Sequence, residues 1–202
     1  MSFQLSIKKY LLLISLATLV SACSELGYNP LDPNYRSQTE IDALEQSSIL
    51  INYKLSTLNQ GVSLVEKKYH DEGSIVEVRR DWKGVVTDAP TASMVLLKTT
   101  GDAMPPPPGD PKDARGLWKE YNWRAVEYFD LFETNNDVGY VLWRKFLVGG
   151  RLCVIFQQGW GADSVQTSSH VLTGYYCNAP GVSLSDGQAE TVVQSVSVWE
   201  EG

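Results

Sequence analysis

Two histidines are the residues of this chain best suited to acid–base or metal chemistry, and their surroundings limit what they can do. His70 begins the run His70-Asp71-Glu72, which could ligate a metal ion but is explained more simply as a solvated turn. His170 follows a serine-rich stretch and starts a strand-like run, which favours a structural or exposed role. The sequence has no G-x-S-x-G or H-E-x-x-H motif and no S-x-x-K with its companion motifs. We therefore assign no catalytic residue, no metal site and no cofactor.

Three neighbouring aromatic residues, Trp118, Tyr121 and Trp123, are candidates for binding. They lie outside the clearest strand patterns, and their rings could stack on sugars or insert into a partner protein. Core packing explains the same spacing, so both interpretations stay open. The proline-rich run 104–111 cannot join a sheet ladder. It is either an exposed connection or a rigid loop that a partner recognises.

The amino-terminal residues have the three parts of a secretory signal. Lys8 and Lys9 form a charged region, residues 10–20 are almost wholly apolar, and the small residues Ser21 and Ala22 follow. As a helix, residues 10–22 would span about 20 Å, short of the roughly 30 Å thickness of bilayer hydrocarbon. We predict a signal peptide over residues 1–22 rather than a permanent transmembrane helix.

Val20-Ser21-Ala22-Cys23 resembles the lipobox of bacterial lipoproteins, in which the cysteine is acylated and becomes the first mature residue. The resemblance covers only residues 1–23. It implies that Cys23 is the lipid attachment site and that three acyl chains anchor the protein stably in a bilayer. Because Ser24 rather than aspartate follows, it also implies the outer membrane, facing the periplasm. The alternative is an ordinary signal peptide with a chance cysteine at the cleavage site.

The other two cysteines, Cys153 and Cys177, are predicted to form a disulfide, which an oxidising export compartment permits. Each lies in a strand-like run, and a largely polar stretch separates the runs. If the connection is centred on Val165, Cys177 stands directly opposite Cys153. Two buried free thiols are the alternative.

Strand patterns occupy most of the chain after residue 61. Runs at 62–69 and 74–82 flank a short turn, and a further strand covers 92–99. The runs 125–133, 138–148 and 151–158, with the run that ends at Cys177, are predicted to form an antiparallel meander. Asn135-Asn136 and Gly149-Gly150 are its predicted tight turns. Pairing across them places Glu127 opposite Arg144 as a salt bridge, and Trp143 opposite Phe156.

Helical signals stand at both ends of this strand region. Ser37-Gln38-Thr39-Glu40 has the form of a capping box and predicts a helix over 38–59, although alternating apolar residues also permit a strand in its second half. A second capping box at Ser185 predicts a short helix, followed by a strand at 195–199. We predict an α+β fold with a mostly antiparallel sheet of seven or eight strands. The predicted organisation is a signal peptide (1–22), a lipid-anchored tether (23–37) and one globular domain (38–202).

Composition narrows the function further. The formal charge of −7 becomes −9 when Lys8 and Lys9 leave with the signal, since 15 basic residues then face 24 acidic ones. An acidic surface repels phosphates, so a nucleic-acid partner is not expected. The leading hypothesis is a membrane-anchored, non-catalytic envelope lipoprotein that binds a protein partner or supports an assembly. The alternatives are a periplasmic enzyme and a sugar-binding module, both acting on cell-wall glycan or peptide.

Overall fold

The computed structural model describes residues 49–59, 61–70, 75–99, 105, 107–119, 125–161 and 168–200. These residues belong to one compact unit. They form nine strands, with α1 (Asp186–Gln194) between the last two. The strands are β1 (Ile49–Tyr53), β2 (Val62–His70), β3 (Ile75–Lys83), β4 (Thr91–Thr99), β5 (Val126–Asn135), β6 (Tyr140–Val148), β7 (Arg151–Trp160), β8 (His170–Cys177) and β9 (Val196–Glu200).

Seven strands form one antiparallel sheet in the order β2-β3-β4-β8-β7-β6-β5. Short connections join β2 to β3 and β5 to β6 to β7, as alternating apolar runs separated by turn residues predict. The strand β8 inserts between β4 and β7, so the first and second halves of the chain meet at the centre of the sheet.

One face of this sheet, which we call the helix face, is covered by α1 and by a two-stranded ribbon of β1 and β9. The helix begins at a capping box, in which the Ser185 hydroxyl accepts from the Gln188 N–H. Its buried residues, Ala189, Val192 and Val193, recur at spacings of three and four and face the sheet. The ribbon adds Ile51 and Tyr53, each 1% exposed.

The other face, the cover face, is packed under a segment of irregular and 3₁₀ structure at residues 107–118, which we call the cover segment. Its 3₁₀ helix, Pro111–Leu117, has proline at its first position and an Asp110 side-chain cap on the Lys112 N–H. Trp118 ends the segment and is buried against Val95, Ile155 and the two cysteines. The described part of the proline-rich run, residues 105 and 107–111, therefore lies outside the sheet ladder, and the cover segment that contains residues 107–111 packs over the sheet face.

The predicted α+β class is wrong, because the described residues are mostly strand. The largest difference is at the amino-terminal helix predicted over 38–59, where Ile49–Tyr53 is a strand. Ile51 and Tyr53 are buried, whereas Leu50 is 51% exposed and Asn52, between the two buried residues, is only half-buried, which is the two-residue period of a strand. Residues 38–48 lie outside the described residues. The predicted carboxy-terminal helix and the strand after it are confirmed.

The two predicted turns of the meander differ in outcome. Gly149 and Gly150 both have positive φ values and join β6 to β7 in the predicted register, with Trp143 opposite Phe156. The register across the first turn is wrong, since Arg144 lies opposite Leu131 and not opposite Glu127.

Two features of this first hairpin cause the difference. Its turn has four residues, 136–139, in which the Asn136 side chain accepts from the N–H groups of Val138 and Gly139. A bulge between Tyr128 and Leu131 then shifts the remaining pairs. The predicted salt bridge with Glu127 is therefore replaced, and Arg144 binds Asp110 at 3.1 Å.

Candidate partner-binding edge

The strand β2 lies at one edge of the large sheet. Its nine residues pair with β3 without a register shift, from Val62 opposite Lys83 to His70 opposite Ile75. Within the described part of the chain, no strand pairs with its other side. Such an edge presents a row of backbone N–H and C=O groups to any extended segment that reaches it.

The first half of β2, residues 62–65, is exposed and apolar except for Ser63, and we call it the open edge. Val62, Leu64 and Val65 are 69%, 55% and 49% exposed. Successive side chains of a strand point to opposite faces, so Leu64 and Val65 project to different sides of the sheet. Neither the cover segment nor the ribbon buries them. Adjacent exposed apolar side chains on a sheet edge are typical of an interaction surface.

The second half of β2 is charged. Glu66, Lys67 and Lys68 follow one another, and the Lys68 ammonium lies 3.9 Å from the Glu66 carboxylate. His70 Nε2 lies 2.9 Å from Glu77 Oε2 on β3. Charged residues on an edge strand oppose unselective pairing. The first half of β2 thus favours apolar contact with a partner, and the second half restricts which partners can pair by their charge.

Arg80 on β3 ties the open edge to the rest of the domain. Its Nε donates to Ser63 Oγ at 2.7 Å, and its Nη1 donates to the Ile51 carbonyl oxygen at 2.9 Å. Its guanidinium also lies 4.9 Å from the centre of the Trp82 ring. Burial lowers the pKa of Arg80 from its ordinary value, but an arginine keeps its charge at neutral pH. One cation therefore holds β2 and the ribbon together.

The exposed apolar surface continues past the end of the open edge. Because Val62 lies opposite Lys83, the loop 84–87 begins beside it, and Val85 and Val86 are 79% and 68% exposed. This loop borders an open cleft of about 640 Å³ on the cover face. Arg79 and Lys83 contribute positive charge to the same cleft.

The predicted disulfide between Cys153 and Cys177 is confirmed. The two residues are direct register partners on β7 and β8, as centring the connection on Val165 requires. Both cysteines are fully buried on the cover face.

Trp118, the first of the three candidate aromatic residues, is 1% exposed. Its indole N–H donates to Ser93 Oγ at 2.8 Å, and its ring meets the Tyr175 ring edge-on at 5.0 Å. Core packing therefore accounts for Trp118, which has no ring face available to a sugar. Tyr121, Trp123 and the lipid-attachment residue Cys23 lie outside the described residues.

Neither histidine belongs to a recognisable catalytic or metal arrangement in the structure as described. The His170 ring stacks on the Trp160 ring at 5.1 Å, and its Nδ1 lies 2.8 Å from Ser169 Oγ. Among the described residues, no group of three or more His, Cys, Asp or Glu side chains could hold a metal ion. In the same residues, no helix has the length and apolar character needed to cross a membrane.

Sequence reasoning did not identify the open edge or the loop beside it. The available signal was the pair Leu64-Val65, two adjacent apolar residues in a strand whose later residues are charged. Exposure cannot be derived from that pair alone, because a central strand buried on both faces has the same pattern.

Comparison of the chain with protein-family models, with curated proteins and with solved structures finds no match.

Proposed function

We propose that this chain is an exported lipoprotein, anchored by acylated Cys23 in the outer membrane and facing the periplasm. Its domain is non-catalytic and binds an extended segment of an envelope protein along β2. The observation that carries the proposal is the open edge, where Val62, Leu64 and Val65 are exposed on a side of β2 with which no described strand pairs.

The proposed membrane localisation is supported by the order of features in residues 1–23. A basic region, an apolar region and a lipobox-like Val20-Ser21-Ala22-Cys23 follow one another. The disulfide of Cys153 and Cys177 agrees with it, because disulfides persist in oxidising compartments such as the periplasm.

Strand addition explains why an open edge suits a protein partner. Backbone hydrogen bonds to the edge supply affinity, and side-chain contacts on alternating positions supply specificity. The partner segment that fits β2 is apolar where it passes Val62 and Leu64, and acidic where it passes Lys67 and Lys68. The regular register of β2 with β3 keeps the edge straight enough to accept it.

The anchor is tested by Cys23→Ser in the producing cell. We expect the wild-type chain to pellet with membranes and to begin at an acylated Cys23 by mass spectrometry. We expect the variant to carry no acyl mass. A wild-type chain with an intact residue 1, or one without acyl mass, contradicts the proposed address.

The edge is tested with a photoreactive amino acid at Leu64 and, as the matched control, at Leu131 on β5, which is similarly exposed. We expect an adduct from position 64 and none from position 131. Hydrogen exchange on the purified complex should then show new amide protection at residues 62–65 and none in β5.

Two results would overturn the proposed binding role. The first is equal crosslinking from both edges, or a partner that leaves the β2 amides unprotected. The second is turnover of cell-wall glycan or peptide by the purified protein together with no adduct from position 64. That outcome would favour the periplasmic enzyme, and binding of glycan without turnover would favour the sugar-binding module.

A further inference from the structure

A second cleft, separate from the open edge, lies between the cover segment and the sheet. Its volume is about 370 Å³, which is within the range of about 300–1,000 Å³ typical of small-molecule sites. Its floor is apolar and comes from Leu97 on β4 and Val171 on β8. Its roof comes from Ala114 and Leu117 of the 3₁₀ helix, with Pro107 at one end.

Two uncharged polar side chains enter this cleft from the sheet, and Asp110 and Asp113 of the cover segment line it as well. Gln157 and Thr173 are direct register partners on β7 and β8, so their side chains lie on the same face of the sheet. The Gly109 N–H donates to Gln157 Oε1 at 2.8 Å. This contact fixes the orientation of the amide and makes Nε2, a donor, the end that is available to a ligand. The Thr173 hydroxyl can donate as well.

The roof of the cleft is held at both ends, so the cavity exists before a ligand arrives. At its start, Asp110 accepts from Arg144 Nη1 at 3.1 Å and caps the 3₁₀ helix. At its end, the Leu117 carbonyl oxygen accepts from Arg79 Nη2 at 2.6 Å, and Trp118 donates to Ser93. A preformed cavity avoids the ordering cost that a mobile one would impose on binding.

Gly159 lets the cover segment approach this closely. A Cβ atom built on Gly159 would lie 2.9 Å from the Pro108 ring, closer than side-chain carbons normally come. The close approach of Pro108 to β7 brings Gly109 within hydrogen-bond distance of Gln157. The absence of a side chain at Gly159 therefore helps to place Gly109, which lines the cleft, against the sheet.

We infer that this cleft binds a small apolar molecule that carries a hydrogen-bond acceptor, such as a ketone or amide carbonyl oxygen. The apolar floor and roof take the hydrocarbon part. Gln157 Nε2 and the Thr173 hydroxyl donate to the acceptor. The inference does not depend on partner binding at β2, because none of the residues that line this cleft belongs to the open edge.

The test uses the full chain with Cys23→Ser, which removes the acylation site, and two probes of similar size. The probes are 4-phenylbutan-2-one and n-butylbenzene, which lacks the carbonyl group. We expect the ketone to bind and to shift the NMR signals of the Gly109 amide and the Gln157 side-chain amide. We expect the hydrocarbon to bind about ten- to a hundredfold more weakly, as the loss of two neutral hydrogen bonds predicts.

Substitutions locate the site. Thr173→Val keeps the shape and removes the donor, so it should weaken ketone binding by about three- to tenfold and leave hydrocarbon binding unchanged. Ala114→Phe should fill the cleft from the roof and abolish binding of both probes. The matched control is Thr87→Val, the same change in the open cleft beside β3, which should alter neither.

Three results would overturn the inference. They are no ketone binding at millimolar concentration, equal affinity for both probes, and binding that Ala114→Phe leaves unchanged while the variant remains folded by circular dichroism. Each is distinct from a failure at β2, because crosslinking from Leu64 and probe binding are measured on different surfaces.

Discussion

The two edges of the large sheet are built differently. The edge strand β2 pairs regularly with β3 over nine residues and begins with exposed Val62, Leu64 and Val65. The edge strand β5 carries a bulge at mid-length. It exposes three carboxylates, Glu127, Asp130 and Glu133, which alternate with the exposed apolar Phe129 and Leu131. Bulges and charges are the devices by which natural sheets prevent edge-to-edge pairing.

This contrast shows that one edge is protected while the other is open along half its length. An acidic, bulged β5 repels a second copy of itself and fits an extended segment poorly. The first half of β2 has neither protection, although the same chain supplies both at β5. The difference is the reason for placing the partner on β2, and each of the following changes tests it.

The largest effect is expected at the centre of the sheet, which both edges share. Replacing Cys153 and Cys177 together by alanine removes a cross-link over a sequence separation of 24. The free energy of unfolding should fall by roughly 3 kcal/mol in the chain-entropy model. Chemical denaturation measures it. A loss below about 1 kcal/mol would show that the disulfide adds little to the stability on which both edges depend.

Positive charges on the open edge should weaken partner binding. With Leu64→Lys and Val65→Lys combined, we expect the adduct yield or partner affinity to fall at least about tenfold, because apolar contact is lost and lysine opposes strand addition. Stability should change by no more than about 0.5 kcal/mol, since both positions are exposed. Leu131→Lys on β5 is the control. Equal loss from the control would remove the distinction between the edges.

Removing the acidic side chains of β5 should increase self-association of the protein through that edge. Replacing Glu127, Asp130 and Glu133 by threonine keeps strand propensity and removes repulsion between copies. We expect self-association to tighten by about 1 kcal/mol, or roughly fivefold. Sedimentation velocity over a concentration series measures the change. If the triple variant associates no more than the wild type, the bulge alone protects this edge.

The smallest effect concerns the Asp110 contact that fixes the cover segment to β6. Burial tends to raise the pKa of Asp110, but hydrogen bonds from Lys112 and the charges of Arg144 and Lys112 outweigh it and lower the pKa. A carboxyl group whose pKa is lower in the folded state than in the unfolded state stabilises the fold at pH values above the unfolded-state pKa of about 3.9. That contribution is lost as the pH falls through the folded-state pKa.

We therefore expect Asp110→Asn to reduce stability at neutral pH by less than about 1 kcal/mol, because the carboxylate is partly screened by solvent. The difference from the wild type should shrink at about pH 3 and below. Thermal unfolding at pH 7 and at pH 3 makes the comparison. A difference that grows towards low pH would contradict the assigned sign.

Local sequence signals predicted much of the sheet. They failed where a side-chain hydrogen bond or a contact between residues distant in sequence determines the strand register. Gly149-Gly150 defines its turn by backbone conformation alone, so the register of β6 with β7 followed correctly. Centring the next connection on Val165 likewise gave the pairing of Cys153 with Cys177. The Asn136 turn depends on side-chain hydrogen bonds, and the bulge in β5 has no strong signal in the sequence. One mistaken turn then displaced every pair before it.

The amino-terminal strand could not be assigned for a different reason. Residues 49–53 satisfy both helical and strand periods over so short a length, and the choice is made by pairing with β9 at the other end of the domain. Trp118 shows the same limit, since its burial depends on Ser93 and Tyr175, which are distant in sequence. Exposure of the open edge is likewise set by which strands stand next to it.

The ribbon of β1 and β9 also constrains when the domain can be completed. Tyr53 lies opposite Val196, so the first strand finds its partner only in the last described stretch of the polypeptide. Contacts of such high sequence separation form late and slowly. Ile51 and Tyr53 therefore stay exposed to water until the chain has been synthesised as far as β9.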